Sequence, residues 1–347
     1  MEVIDAFRTQ ARACVDLGSA MYGGLLDRLA DELEQGDPVL ADVLRGHERD
    51  PGPSALALRL LGAVHRLVLQ GDAPELEAFY PTTGGRWDLH AAWPGFVMTL
   101  TKRNAELRPL LDRAPQTNEV GRASALIGGL LHVAERHRLP IRLVEIGSSG
   151  GLNLAADQFR YVHEDGTSWG PVTSPVVLDP AWRGAPLPSA DLSIVDRVGS
   201  DLAPIDVTTP EGQLRLMSYV WPDQPARFER LRGAFAVVAA HPAPVEQRDA
   251  VSMVGSLSLV QEATTVLWHS VMWQYLSSSD RTAVAARIAA LGGSATIEAP
   301  FAHLFMEPTR RTPTSALEFL VVLEAWPGGE RRVLGPCAPH GLPTTWE

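Results

Sequence analysis

The stretch that most constrains this chain is Ile141 to Ile146, an apolar run with one acid, Glu145, that ends on Gly147-Ser148-Ser149-Gly150-Gly151. An apolar run of that length bounded by a turn signal suits a buried strand. Glycines directly after it let the backbone approach a ligand closely. The helix signal over residues 152–159 offers free N–H groups at its start. Strand, glycine turn and helix in that order open a βα unit, and a chain that begins this way is expected to repeat it.

The repeat is visible downstream. Residues 175–179 read as a second strand ending on the carboxylate of Asp179, 244–249 as a weak third, 264–269 as a fourth and 294–298 as a fifth. Helix signals at 228–240, 250–261 and 281–291 fall among them. Residues 317–326, the turn 327–330 and residues 331–334 then form a hairpin signature. Alternation of this kind implies a mostly parallel sheet with helices on both faces, and the hairpin adds antiparallel strands at its edge. The expected fold is α/β with a seven-stranded Rossmann-like sheet.

Ahead of this core, residues 1–138 carry apolar residues at helical spacing over 11–33, 55–69, 93–111 and 119–138, punctuated by Gly36-Asp37-Pro38, Gly71 and the loop 80–85. They carry no strand signal. The chain of 347 residues is therefore expected to divide into an N-terminal helical lobe, 1–138, and a core, 139–347. An insertion at about 181–224, holding Arg197, Asp201, Asp206 and Trp221-Pro222-Asp223, has the length of a lid or substrate wall.

Composition excludes several partners. A formal net charge of −11 with no Lys/Arg run, Lys102 being the only lysine, argues against a nucleic-acid ligand. No apolar stretch approaches the roughly 20 residues of a membrane span. The N-terminal residues lack the basic and apolar segments of a signal peptide, so a cytoplasmic location is expected. Cys14 and Cys337 make neither a metal spacing nor a disulfide framework, and His132 and His137 do not share a helix face. No metal is expected.

In open α/β sheets the ligand lies beyond the carboxyl ends of the strands. The glycine turn, Asp179 and the pair Asp249-Ala250 are the expected ligand contacts: Asp179 suits ribose hydroxyls, and Asp249 an adenine amino group. His269, at the end of the fourth strand, is a candidate general base, and Tyr275 a candidate pocket residue. Asn118 and Arg122, just upstream of the first strand's preceding helix, are candidates for the far end of the same ligand. Each has a plain structural reading as well: Asp249 and Asn118 as helix caps, Asp179 as a turn residue, His269 as a backbone-bonded histidine.

Val144-Glu145-Ile146-Gly147-x-Ser149-x-Gly151 resembles the first motif of class I S-adenosylmethionine-dependent methyltransferases, with Ser149 where the middle glycine usually stands. Trp268-His269-Ser270-Val271-Met272 resembles the segment of those enzymes that faces the transferred methyl group. Over nearly its whole length the chain is similar to a bacterial family catalogued as domain of unknown function 2332. That similarity is carried by Gln116-Thr117-Asn118-Glu119-Val120-Gly121-Arg122, Glu145 to Asn153, Trp221-Pro222-Asp223-Gln224 and Pro339-His340-Gly341. The resemblance implies a methyltransferase-type core binding S-adenosylmethionine through Glu145, Gly147, Ser149, Gly151, Asn153, Asp179, Asp249, Ala250, Asn118 and Arg122. The expected acceptor is the oxygen or nitrogen of a small molecule.

Three alternatives stand beside it. The same cofactor can serve non-methyl chemistry. The fold can persist in a non-catalytic binding protein. Gly147-x-Ser149-x-Gly151 also satisfies the nucleophile-elbow pattern of serine hydrolases, with Asp249 and His269 following in triad order. Helices alone precede the turn, however, and no His-Gly-Gly oxyanion loop lies upstream.

Overall fold

The computed structural model describes residues 3–50 and 52–347; Met1, Glu2 and Pro51 lie outside it, the first two within the stretch read above for a leader. Among the described residues the chain opens with the α-helices α1 (Val3–Asp16), α2 (Ala20–Glu34), α3 (Pro38–Val43), α4 (Leu56–Gln70), α5 (Pro74–Glu77), α6 (Leu89–Lys102) and α7 (Asn104–Leu111). Then follow α8 (Ala123–His137), β1 (Ile141–Ile146), β2 (Arg160–His163), β3 (Ser168–Trp169), β4 (Val177–Gly184) and β5 (Ile194–Asp201). After α9 (Pro210–Ser218) and α10 (Pro225–Ala240) come β6 (Val245–Gln247), α11 (Ala250–Gly255), β7 (Thr264–Ser270) and α12 (Ser278–Ser294). The chain closes with β8 (Phe301–Thr309), β9 (Glu318–Trp326), β10 (Glu330–Pro336) and β11 (Thr344–Trp346).

These elements form two compact units, one of residues 1–117 and 209–229, the other of residues 118–208 and 230–347. The division thus falls ahead of α8 rather than at residue 138, and the end of the expected insertion belongs with the helices. Among its described residues the first unit is wholly helical. Its core gathers Phe7, Leu25, Leu29, Leu60, Val64 and Phe96, with Trp221 from the second chain segment. Burial of each such side chain contributes about 1.5–3 kcal/mol. The periodicity over 11–33 suggests one helix, but the structure has two. Gly18 adopts φ +87°, and the Ser19 hydroxyl then caps α2 by accepting from Tyr22 N. The apolar period runs on across that turn, which hides it.

In the second unit a seven-stranded sheet has the order β10-β9-β8-β7-β1-β5-β6. From β6 to β8 all pairs are parallel; β9 and β10 run antiparallel at the edge. Val144, Leu267 and Phe301 pack with α11 and α12 on one face. On the other face α8 comes so close that a Cβ on Gly129 would lie 2.5 Å from Leu304. A second sheet, β11-β4-β2-β3, adds Tyr161 stacked on Trp182, whose Nε1 donates to Ser124 O of α8.

Two strand assignments are corrected. Residues 177–179 do lie in a strand, but β4 pairs with β2 and β11 in the smaller sheet, so Asp179 is not at the end of the strand beside β1. That strand is β5, whose half-exposed, charged sequence (Asp196, Arg197, Asp201) gives little hydrophobic signal. Residues 294–298 are not a strand; α12 runs to Ser294, and the fifth parallel strand is β8, whose apolar pattern is broken by His303, Glu307 and Pro308.

Within the helical unit, the Asp223 carboxylate accepts from Ser19 Oγ at 2.7 Å and Met21 N at 3.0 Å, across 204 and 202 residues of sequence. Asp223→Ala strands a fully buried hydroxyl. The change is expected to destabilise the first turn of α2 by about 1–3 kcal/mol, read as faster amide exchange there. Exchange equal to wild type contradicts this.

Candidate functional site

The strand order reverses at β1, with β5 and β6 on one side and β7 and β8 on the other. A crevice outside the carboxyl ends of the strands is expected at such a point. The turn after β1 puts three residues in the left-handed region: Gly147 (φ +72°), Ser149 (φ +53°) and Gly151 (φ +71°). A serine at φ +53° costs roughly 1–2 kcal/mol, so its neighbours must hold it.

They do so through the turn's own donors. Gly147 N and Ser148 N donate to Ser200 O, Ser149 N to Asp201 Oδ2 at 2.9 Å, and Gly151 N to Ser148 O. Asn118 Oδ1 receives both Gly150 N, at 3.1 Å, and Leu152 N, at 3.0 Å. Every N–H from Gly147 to Leu152 is thus used within the protein. A diphosphate cradle, which depends on free N–H groups, is not available here. Around the turn, the buried Glu145 Oε2, Ser149 Oγ and Asn153 Oδ1 are among the polar atoms with no hydrogen-bond partner in the protein. A buried polar atom left so is costly unless a ligand or water supplies the bond.

Glu145, paired in register with Trp268 of β7 and Gly199 of β5, is 3% exposed. Its Oε1 accepts from Trp268 Nε1 at 3.1 Å. Burial pushes the carboxyl up to about 8, with Trp268 and Ser148 opposing in part. At neutral pH it is a protonated acid, able to donate as well as accept.

The other expected residues disperse. Asn118 reaches the turn, where it braces the backbone. Asn153 lies in the following 3-10 turn, its Nδ2 donating to Glu119 O. Arg122 points guanidinium nitrogens at Pro339 O and Ser270 O. Asp201 stands where Asp179 was expected, at the end of the strand beside β1, while Asp179 is exposed on β4. Asp249 caps α11, accepting from Ser252 N at 2.8 Å and Ser252 Oγ at 2.7 Å, and these bonds lower its pKa. Ala250 begins that helix and is buried. Tyr275 is 73% exposed.

His269 is 2% exposed, and both its ring nitrogens face protein. Nδ1 lies 2.8 Å from Glu307 Oε1, and Nε2 lies 3.0 Å from His303 Nε2. His303 Nδ1 in turn meets Glu324 Oε2 at 3.2 Å. Burial lowers His303 to about 4, and its hydrogen bond lowers the Glu324 carboxylate. Neither nitrogen of His269 is left for Ser149 or Asp249, so no Ser-Asp-His row is assembled. The geometry gives His269 a positioning role: Glu307 Oε1 also accepts Met272 N and Trp273 N, fixing the segment after β7. Sequence reasoning missed His303, Glu307 and Glu324. Their only signal was polar residues at alternate positions of a buried strand, 303 and 307, with 324 directly across from 303.

Glu145 gives a test by pH. Its carboxyl titrates near 8 when folded against an ordinary value of 4.5. Its contribution to stability is full below about pH 4.5 and is lost as pH rises towards and through 8. Glu145→Gln keeps an acceptor for Trp268. The variant is expected to lose less stability than wild type between pH 5.5 and 8.5, by about 1 kcal/mol or more, since each pKa unit corresponds to about 1.4 kcal/mol. Parallel denaturation profiles for the two proteins contradict the assignment.

Among the described residues no helix is long and apolar enough to cross a membrane. No curated protein and no solved structure matches the chain. A family model, described as an uncharacterized protein conserved in bacteria, matches residues 4–346. The chain therefore belongs to the domain of unknown function 2332 family.

Proposed function

We propose that the carboxyl end of β1 binds S-adenosylmethionine and that the chain transfers its methyl group to an oxygen or nitrogen of a small molecule. The observation that carries this reading is the strand-order reversal at β1, with a left-handed glycine turn on one side and Asp201 at the end of β5 on the other. A cofactor without phosphates suits a turn whose N–H groups are all spent. The unpartnered Glu145 Oε2, Ser149 Oγ and Asn153 Oδ1 suit a ligand rich in hydroxyl, amino and carboxylate groups. When bound, the cofactor supplies an electrophilic methyl group.

The residues then divide the work. Each Asp201 carboxylate oxygen accepts one backbone N–H, from Ser149 or Ala203, and keeps capacity for a ribose hydroxyl. Protonated Glu145 donates from inside the sheet. Asp249 holds the start of α11 in place. His269, engaged on both sides, orders Met272 and Trp273 through Glu307 and takes no proton from the acceptor. Rate then comes from proximity and exclusion of water. Asp179 has no part.

Calorimetric titration of the full chain with S-adenosylmethionine, S-adenosylhomocysteine, ATP and NAD tests this reading. Micromolar binding of the first two alone is expected. Asp201→Ala is expected to weaken it at least tenfold, and Asp179→Ala to leave it unchanged. Wild type that binds neither sulfur ligand removes the proposal. Product analysis separates methyl transfer, which leaves S-adenosylhomocysteine, from chemistry that leaves methylthioadenosine.

A further inference from the structure

We propose that the cavity lined by β8, β9 and α12 is a binding site for a small organic ammonium ion with an aromatic or branched apolar body. This inference does not rest on the methyl-transfer reading. The cavity holds about 320 Å³, at the lower end of the range for small-molecule sites. Ile288, Trp273, Phe305 and Trp326 give it apolar and aromatic walls, and Ala285 and Ala289 are exposed at its α12 side. Its ionisable groups form the row Glu307, His269, His303 and Glu324.

Counting hydrogens along that row fixes its charge. His303 is neutral, and its Nδ1 donates to the ionised Glu324. Its Nε2 therefore carries no hydrogen and accepts one from His269 Nε2. At the far end, Glu307 Oε1 already accepts the backbone N–H groups of Met272 and Trp273. At 2.8 Å, one hydrogen lies between His269 Nδ1 and that oxygen. The His269 ring lies parallel to Trp273 at 5.1 Å and to Phe305 at 5.5 Å.

With one hydrogen shared between His269 and Glu307 and Glu324 ionised, the row leaves a net charge of one negative in the cavity wall. At its Glu307 end, Oε2 is buried and has no hydrogen-bond partner, on a side chain 5% exposed. An ammonium ion supplies the missing bond in its charge-assisted form, and the aromatic walls add cation–π attraction. An anion meets repulsion, and a neutral alcohol offers only the weaker bond. A metal ion fits less well, since no group of three or more metal-ligating side chains occurs among the described residues.

The test is calorimetric titration of the full chain at neutral pH with 2-phenylethylammonium, 2-phenylethanol and phenylacetate. The ammonium ion is expected to bind at least tenfold more tightly than the alcohol, and phenylacetate not at all. Glu307→Gln is expected to weaken ammonium binding at least tenfold. Because Glu307 also holds two backbone amides, Ala289→Phe serves as the second variant; it adds bulk to the cavity from α12 and leaves the residues of the row unchanged, and is expected to abolish binding with an unchanged circular dichroism spectrum. Failure of wild type to bind the ammonium ion, equal binding of the alcohol, or full binding by Ala289→Phe overturns the proposal.

Discussion

A parallel sheet opens a crevice where its strand order reverses, because the connections on either side depart in opposite directions. β1 is the strand at that reversal here, buried between β5 and β7. Everything at the candidate site is referred to it: Glu145 by register, the turn by continuity, Asp201 and His269 as the ends of its two neighbours. The turn keeps its shape through Asn118 and Asp201, without any outside group, so the crevice is preorganised.

Two buried acids on this sheet meet different partners. Glu145 accepts from the Trp268 indole, and burial drives it to the protonated form. Glu307, about equally buried at 4% against 3% exposed, gathers two backbone N–H groups and the His269 ring on one oxygen. The second acid thereby fixes the backbone of the segment after β7.

The sequence made the parallel sheet, its glycine turn and its closing hairpin legible, because β1, β7 and β9 are continuous apolar runs with clear stops. β5 and β8 escaped for a common reason: they carry the charged residues. Arg197 and Asp201 dilute the hydrophobic signal of β5, and His303 and Glu307 that of β8. Asp179 misled because an apolar run ending on an acid looks the same whichever sheet it joins; pairing is a property of the partner strands. The brace formed by Asn118 spans 32 and 34 residues to its two donors, and the row through Glu324 links three strands. Neither spacing leaves a local pattern.

The helical unit is interrupted in the chain: its first segment ends at residue 117 and its second begins at 209. Trp221 and Asp223, one in the core and one capping α2, are therefore made after β1 and β5. At ordinary synthesis rates the delay is on the order of ten seconds. During it, the newborn helices carry an open seat for Trp221, and the capping hydroxyl of Ser19 lacks its acceptor, while the first strands of the sheet emerge. The core of the helical unit therefore closes only after the first strands of the other unit are made, an order set by the chain's path and not by the helices' own stability.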